Sequence, residues 1–145
     1  MKRSEVRTFL TDGIATLTNV TSGNGRISEF NSNRSREYPM AWIDSLSTSP
    51  EITPNGLPYD NWNVVIHIAK KDSADSTEDQ YELIIDSADE MGQQLIKNYN
   101  DVVSGYKLVE LLAIQRIPFI KKHADCLTGI ELSFTLRAPD TTNLC

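Results

Sequence analysis

The stretch His123-Ala124-Asp125-Cys126 sets an imidazole, a carboxylate and a thiol side by side. These are the groups of a cysteine nucleophile with its base and its orienting partner. In such sites the groups converge from separate parts of a fold, whereas here one short stretch carries all three. The spacing therefore predicts a turn and no catalysis. The second thiol, Cys145, has no C-x-x-C relation to Cys126, so a pair of reduced thiols is expected. A disulfide between them stays open at this point. His67 is far from His123 and sits in an alternating apolar run with no ligand-type residue two positions away, so it reads as structural and not as a metal ligand.

Other groups fail in different ways. The carboxylates Asp75, Glu78, Asp79, Glu82, Asp86, Asp89 and Glu90 keep helical spacing and should form a solvated face. Acid–base pairs need a pocket that drives their pKa values apart, and an outward helical face offers none. The stretch SGNGR (22–26) lacks the flanking strand and the Gly-Lys-Ser/Thr ending of a phosphate loop. Trp42, Tyr59, Trp62, Tyr81 and Tyr99 fall at core-like positions and are not interleaved with bases as stacking platforms are. No catalytic, cofactor-binding or metal residue is assigned, no cofactor is expected, and the chain reads as a non-enzyme.

The elements that would position these residues follow from periodicity. Val6, Leu10, Gly13, Leu17 and Val20, widened by Phe9 and Ile14, mark a helix over residues 1–20 with Ser4 as its N-cap. Residues 21–37 are polar, with Arg26, Arg34 and Arg36, and read as a loop or arm. YPMAWIDSL (38–46) predicts a strand, and the proline-rich 45–61 a second long loop. In NWNVVIHIAKKD, Trp62, Val64, Ile66 and Ile68 alternate with Asn63, Val65, His67 and Ala69, the pattern of a half-buried strand.

Tyr81, Ile84, Ala88, Met91, Leu95 and Tyr99 predict a helix over 76–99. Ser76 or Thr77 would cap it, Thr77 and Gln80 would form a capping box, and Gly92 would lie on the outer side. Strand character returns over 108–117, with an edge or bulge at Pro118, and again over 129–137, where Ile130, Leu132, Phe134 and Leu136 alternate with polar residues. Gly129 would let the chain turn in, and Pro139 would end that strand. The sum is a single α+β domain, 1–145, with an antiparallel or mixed sheet of about four strands over 38–145 packed against two helices, and two long loops.

A chain that is 39% hydrophobic and 23% charged can form a globular core. Its net charge of −6 is uneven: residues 1–40 carry +2, residues 41–106 carry −9 and residues 107–145 carry +1. Such acidity disfavours holding a phosphate backbone. No apolar run approaches the roughly 20 residues of a membrane span. The opening MKRSEVRTFL has no long apolar segment, so neither a membrane nor a secretory leader is expected.

In order, these elements resemble tail-completion and tail-terminator proteins of tailed bacteriophages. The closing phrase, with Asp125, Leu127, Gly129, Leu132, Phe134, Leu136 and Cys145, is similar to that of neck and tail proteins of phages infecting Bacteroidetes, of the crAss-like group. The resemblance runs from Tyr38 onward. It implies a structural virion protein assembled in the bacterial host cytoplasm and placed at the neck or the head-proximal end of the tail. Its implied partners are copies of itself in a ring and neighbouring neck, portal-adaptor or tail proteins, with genome DNA passing through the channel without specific binding. The competing expectation is a small intracellular adaptor or ligand-binding α+β domain.

Overall fold

The computed structural model describes residues 1–18, 20–25, 39–71, 78–106, 108–122 and 127–140. Helix α1 (Arg3–Ala15) precedes strands β1 (Thr21–Asn24), β2 (Met40–Ile43), β3 (Ser47–Ile52) and β4 (Pro58–Lys71). Helix α2 (Glu78–Val103) leads to β5 (Glu110–Lys122) and β6 (Leu127–Pro139). Among the described residues the architecture is α+β, two helices on a mixed six-stranded sheet. Its order is β1-β2-β4-β6-β5, with β1 parallel to β2 and the other pairs antiparallel. The long β4 gives its first half to β3, at Pro58–Asn63, and its second half to β2, at Ile66–Ala69.

Six strands stand where about four were expected. The two unforeseen ones, β1 (TSGN) and β3 (STSPEI), fall inside the stretches read as loops. Neither buries an apolar face, and β3 is almost wholly exposed, so no hydrophobic alternation marks them. Backbone pairing with β2 and β4 creates them. The longer strands match their patterns. Trp62, Val64, Ile66 and Ile68 lie opposite Leu136, Phe134, Leu132 and Ile130, and all eight are buried. At about 1.5–3 kcal/mol for each large apolar side chain fully buried, this double row is the main stabilising element.

Helix α1 buries Val6, Phe9, Leu10 and Ile14 against that row. Lys2, not Ser4, is its N-cap, two residues earlier than expected, and its backbone N–H donates to the Glu5 carboxylate at 2.7 Å. The helix stops at Ala15, short of the anticipated position 20, where the Leu17 N–H closes onto the Ile14 carbonyl. Leu17 and Val20 still pack on the core, from irregular chain.

In α2 the buried positions are Ala88, Gly92, Leu95, Tyr99 and Val103. Gly92 thus faces the sheet, contrary to the expectation of an outer position. A methyl there would come within 2.7 Å of Ile130 Cδ1, so the helix lies close on β6 at this point. The expected caps Ser76 and Thr77 lie outside the described residues. Gly129 is also not a turn residue. It lies within β6 opposite Ala69, where bare backbone lets two strands approach. Pro139 does close β6.

Tyr99 ties the two helices together. Its hydroxyl donates to the Leu10 carbonyl at 2.6 Å, and its ring lies 5.0 Å from Phe9 and 5.8 Å from Phe134. Gly13 leaves room for that ring. Burial pushes the phenol well above its ordinary value. A phenol raised in the folded state contributes stability below its unfolded pKa and loses it as pH rises. Stability should therefore fall above about pH 10. Tyr99→Phe should cost about 1 kcal/mol at neutral pH and flatten that alkaline slope, as urea midpoints across the range would show.

Candidate functional site

Three surfaces of the fold present side chains that the main core does not consume. The first is the sheet face turned away from the helices. Strand alternation puts Asn61, Asn63, Val65 and His67 of β4 there, opposite Arg137, Thr135, Ser133 and Glu131 of β6. At one end a polar ladder forms: Arg137 Nε and Asn61 Nδ2 both donate to Glu51 Oε2, at 3.1 and 3.0 Å. The Arg137 guanidinium also lies 3.9 Å above the Tyr59 ring. At the other end a small apolar cluster of Met40, Trp42, Ala69, Phe119 and Leu127 seals the face.

His67 lies between these ends, only 4% exposed. Its Nε2 is 3.6 Å from Asp44 Oδ2 and its Nδ1 is 3.7 Å from Glu131 Oε1. The structural reading of His67 missed both acids, since they arrive from beside β2 and from β6. Only the strand register, with Glu131 directly opposite His67, could have pointed to one of them. An imidazole between two carboxylates can hold a proton, but a ring this buried cannot touch a substrate. Both separations exceed hydrogen-bond length, so the three side chains mark where the end of β2, β4 and β6 lie side by side.

Arg137 beside Glu51 holds that carboxyl below the ordinary range, with Asn61 acting in the same direction. A depressed carboxyl contributes stability above its unfolded pKa and loses it as pH falls through the folded value. Glu51→Gln should therefore be slightly less stable than the parent at about pH 7, and the gap should close below about pH 4. Urea midpoints of both proteins at the two pH values would check this.

The second surface is a cleft of about 440 Å³ between α1 and the end of α2. Phe9, Gly13, Tyr99 and Val102 line it, with Asp12 and Asp101 among its polar residues. The third is β5, the outer strand of the sheet. Leu112, Ile114, Ile117 and Ile120 are 39–51% exposed along it. Register shifts interrupt it between Leu112 and Gln115, where Ala113 has φ 52°, and between Phe119 and Lys122. The edge character expected at Pro118 is observed.

Of the residues singled out from sequence, His123, Asp125, Cys126, Cys145 and Asp75 lie outside the described residues. The remaining acids of α2 are exposed, apart from a half-buried Asp89 that pairs with Arg116 at 3.1 Å. Trp42, Tyr59, Trp62 and Tyr99 are buried as expected, and Tyr81 is half-buried. Among the described residues, no group of three or more His, Cys, Asp or Glu could hold a metal ion. No described helix is long and apolar enough to cross a membrane. Compared with protein-family models and with curated proteins, the sequence matches none.

Proposed function

We propose that the chain is a structural virion protein that forms an oligomeric ring at the phage neck or the head-proximal end of the tail, without catalysis. The observation that carries the need for a neighbour is β5, whose four large aliphatic residues stand in water along one strand. Leu112 and Ile117 stand on the sheet face away from the helices and Ile114 on the helix side, so this edge strand leaves large apolar side chains in water on both of its sides, as a surface awaiting a partner does. The kind of assembly comes from the resemblance of the closing strand, whose Leu132, Phe134 and Leu136 are core residues of β6.

Head-to-tail subunits close into a ring through heterologous contacts. The basic 1–40 segment of one copy would meet the acidic 41–106 segment of the next. An acidic surface towards the channel, such as the one α2 presents with Glu78, Asp79, Glu82, Asp86 and Glu90, would let DNA pass without binding it. Neighbouring neck, portal-adaptor or tail proteins would stack on the ring's two faces. Negative-stain imaging of the concentrated protein should show closed rings of uniform diameter. Separate monomers at every concentration, also after mixing with neighbouring virion proteins, would overturn the proposal.

The second reading, a small intracellular adaptor or ligand-binding domain, has the cleft between α1 and α2 in its favour, since about 440 Å³ is within the range of small-molecule sites. Thr16→Trp would obstruct that cleft from its exposed rim. Ring assembly should survive this change under the first reading.

A further inference from the structure

The sequence holds two Asn-Gly pairs, Asn24-Gly25 and Asn55-Gly56. Such a pair can react with itself, because glycine's missing side chain lets its backbone nitrogen close on the preceding side-chain amide. The fold holds the two pairs differently. Asn55-Gly56 lies on the turn that joins β3 to β4. The Gly56 N–H donates to the Thr53 carbonyl at 2.8 Å, which puts Pro54 and Asn55 at the two central positions. Gly56 takes φ 76°, and a Cβ added there would meet nothing within 4 Å. Thr53 and Leu57 close the base of the turn, the Thr53 N–H on the Leu57 carbonyl at 3.1 Å and the Leu57 N–H on the Thr53 hydroxyl at 3.3 Å. These bonds hold the hairpin without the Asn55 side chain, and Asn55 and Gly56 are both exposed.

Asn24-Gly25 is fastened to the sheet. Asn24 is the last residue of β1 and lies in register with Ile43 of β2. The Gly25 N–H donates to the Ile43 carbonyl at 3.0 Å, and the Gly25 carbonyl accepts from the Trp42 indole N–H at 3.2 Å. Ile43 and Trp42 are both buried. Freeing the Gly25 nitrogen therefore means lifting the end of β1 off a core strand. Freeing the Gly56 nitrogen breaks one bond at an exposed tip, and openings of that small kind are the frequent ones.

We propose that Asn55 is a site of spontaneous deamidation and that the fold protects Asn24 from the same reaction. The Gly56 nitrogen gives its proton to hydroxide and attacks Asn55 Cγ. The new C–N bond closes a five-membered succinimide, and the bond from Cγ to the side-chain nitrogen breaks. That nitrogen takes a proton from water and leaves as ammonia, which returns the hydroxide. A second water then opens the ring at one of its two carbonyls. Opening at Cγ gives aspartate, and opening at the backbone carbonyl gives isoaspartate, whose main chain runs through the former side chain. Either product adds a negative charge to a stretch, 47–60, that already carries Glu51 and Asp60 and no base. The isoaspartyl form also lengthens the main chain by one carbon inside the turn that the Thr53–Gly56 bond closes.

The test incubates the full chain at mildly alkaline pH and follows the peptides around both asparagines by mass spectrometry, with chromatography separating aspartyl from isoaspartyl forms. In the folded chain Asn55 should convert at least about 10-fold faster than Asn24, whose reaction waits on the larger opening. In concentrated urea the two rates should converge, because both asparagines are followed by glycine. Asn55→Gln, which would have to close a six-membered ring, should stay unconverted and leave the Asn24 rate unchanged. Equal rates in the folded chain, or faster loss at Asn24, would overturn the proposal. A difference that persists in urea would overturn it too, since the contrast would then belong to the local sequence and not to the fold.

Discussion

Gly129→Ala should lower stability by about 3–4 kcal/mol, more than other single methyl additions to this chain. The added Cβ would run into the carbonyl oxygen of Ile68 and lie 2.8 Å from Ala69 Cα. Both are backbone atoms of the central strand β4, hydrogen-bonded on either side, and neither can rotate away. Relief requires β4 and β6 to separate along a ladder that runs from Tyr59 to Lys71. At roughly 2–4 °C per kcal/mol for a chain of this size, the melting temperature should fall by about 10 °C. Gly92→Ala is the control. Its methyl meets only the tip of the Ile130 side chain, and a helix gains about 1 kcal/mol on replacing Gly by Ala. Its net change should stay within about 0.5 kcal/mol. Thermal melts of the two variants side by side would check both values.

Tyr99→Ala should cost about 3–5 kcal/mol, the range for deleting a buried aromatic ring. The ring is 1% exposed, contacts Phe9 and Phe134, and carries the hydroxyl that bonds α2 to the Leu10 carbonyl of α1. The same ring explains Gly13. A methyl at Gly13 would meet Tyr99 side-chain carbons, Cδ1 at 2.8 Å among them, so Gly13→Ala alone should cost about 1–3 kcal/mol. With Tyr99 already replaced by Ala the obstacle is gone, and Gly13→Ala should become neutral or slightly stabilising. Urea denaturation of the four proteins in a double-mutant cycle should give a coupling of about 2 kcal/mol between the two positions, and additive costs would show that they do not meet.

Both residues show what was legible in the sequence. The alternation of Trp62–Ile68 and Ile130–Leu136 announced β4 and β6 because each has one buried and one open face, and period two records that directly. The long helix was legible for the same reason. Gly92 and Gly129 were misplaced because a glycine has no side chain to mark its face. Its role is fixed by what approaches it from another element. Strands β1 and β3 carry no hydrophobic alternation, because pairing with their partners' backbones makes them. The acids beside His67 come from distant positions, 44 and 131, and only register brings them together. The aliphatic residues of β5 are legible as strand character but not as surface, since exposure depends on which elements pack beside the strand.

We propose that this chain works as an assembled ring. Native mass spectrometry of the purified full chain over a rising concentration series tests it most directly. The expected result is a transition from single chains to one closed species of fixed copy number, with no larger products. A single chain at every concentration, unchanged by neighbouring virion proteins, would contradict it.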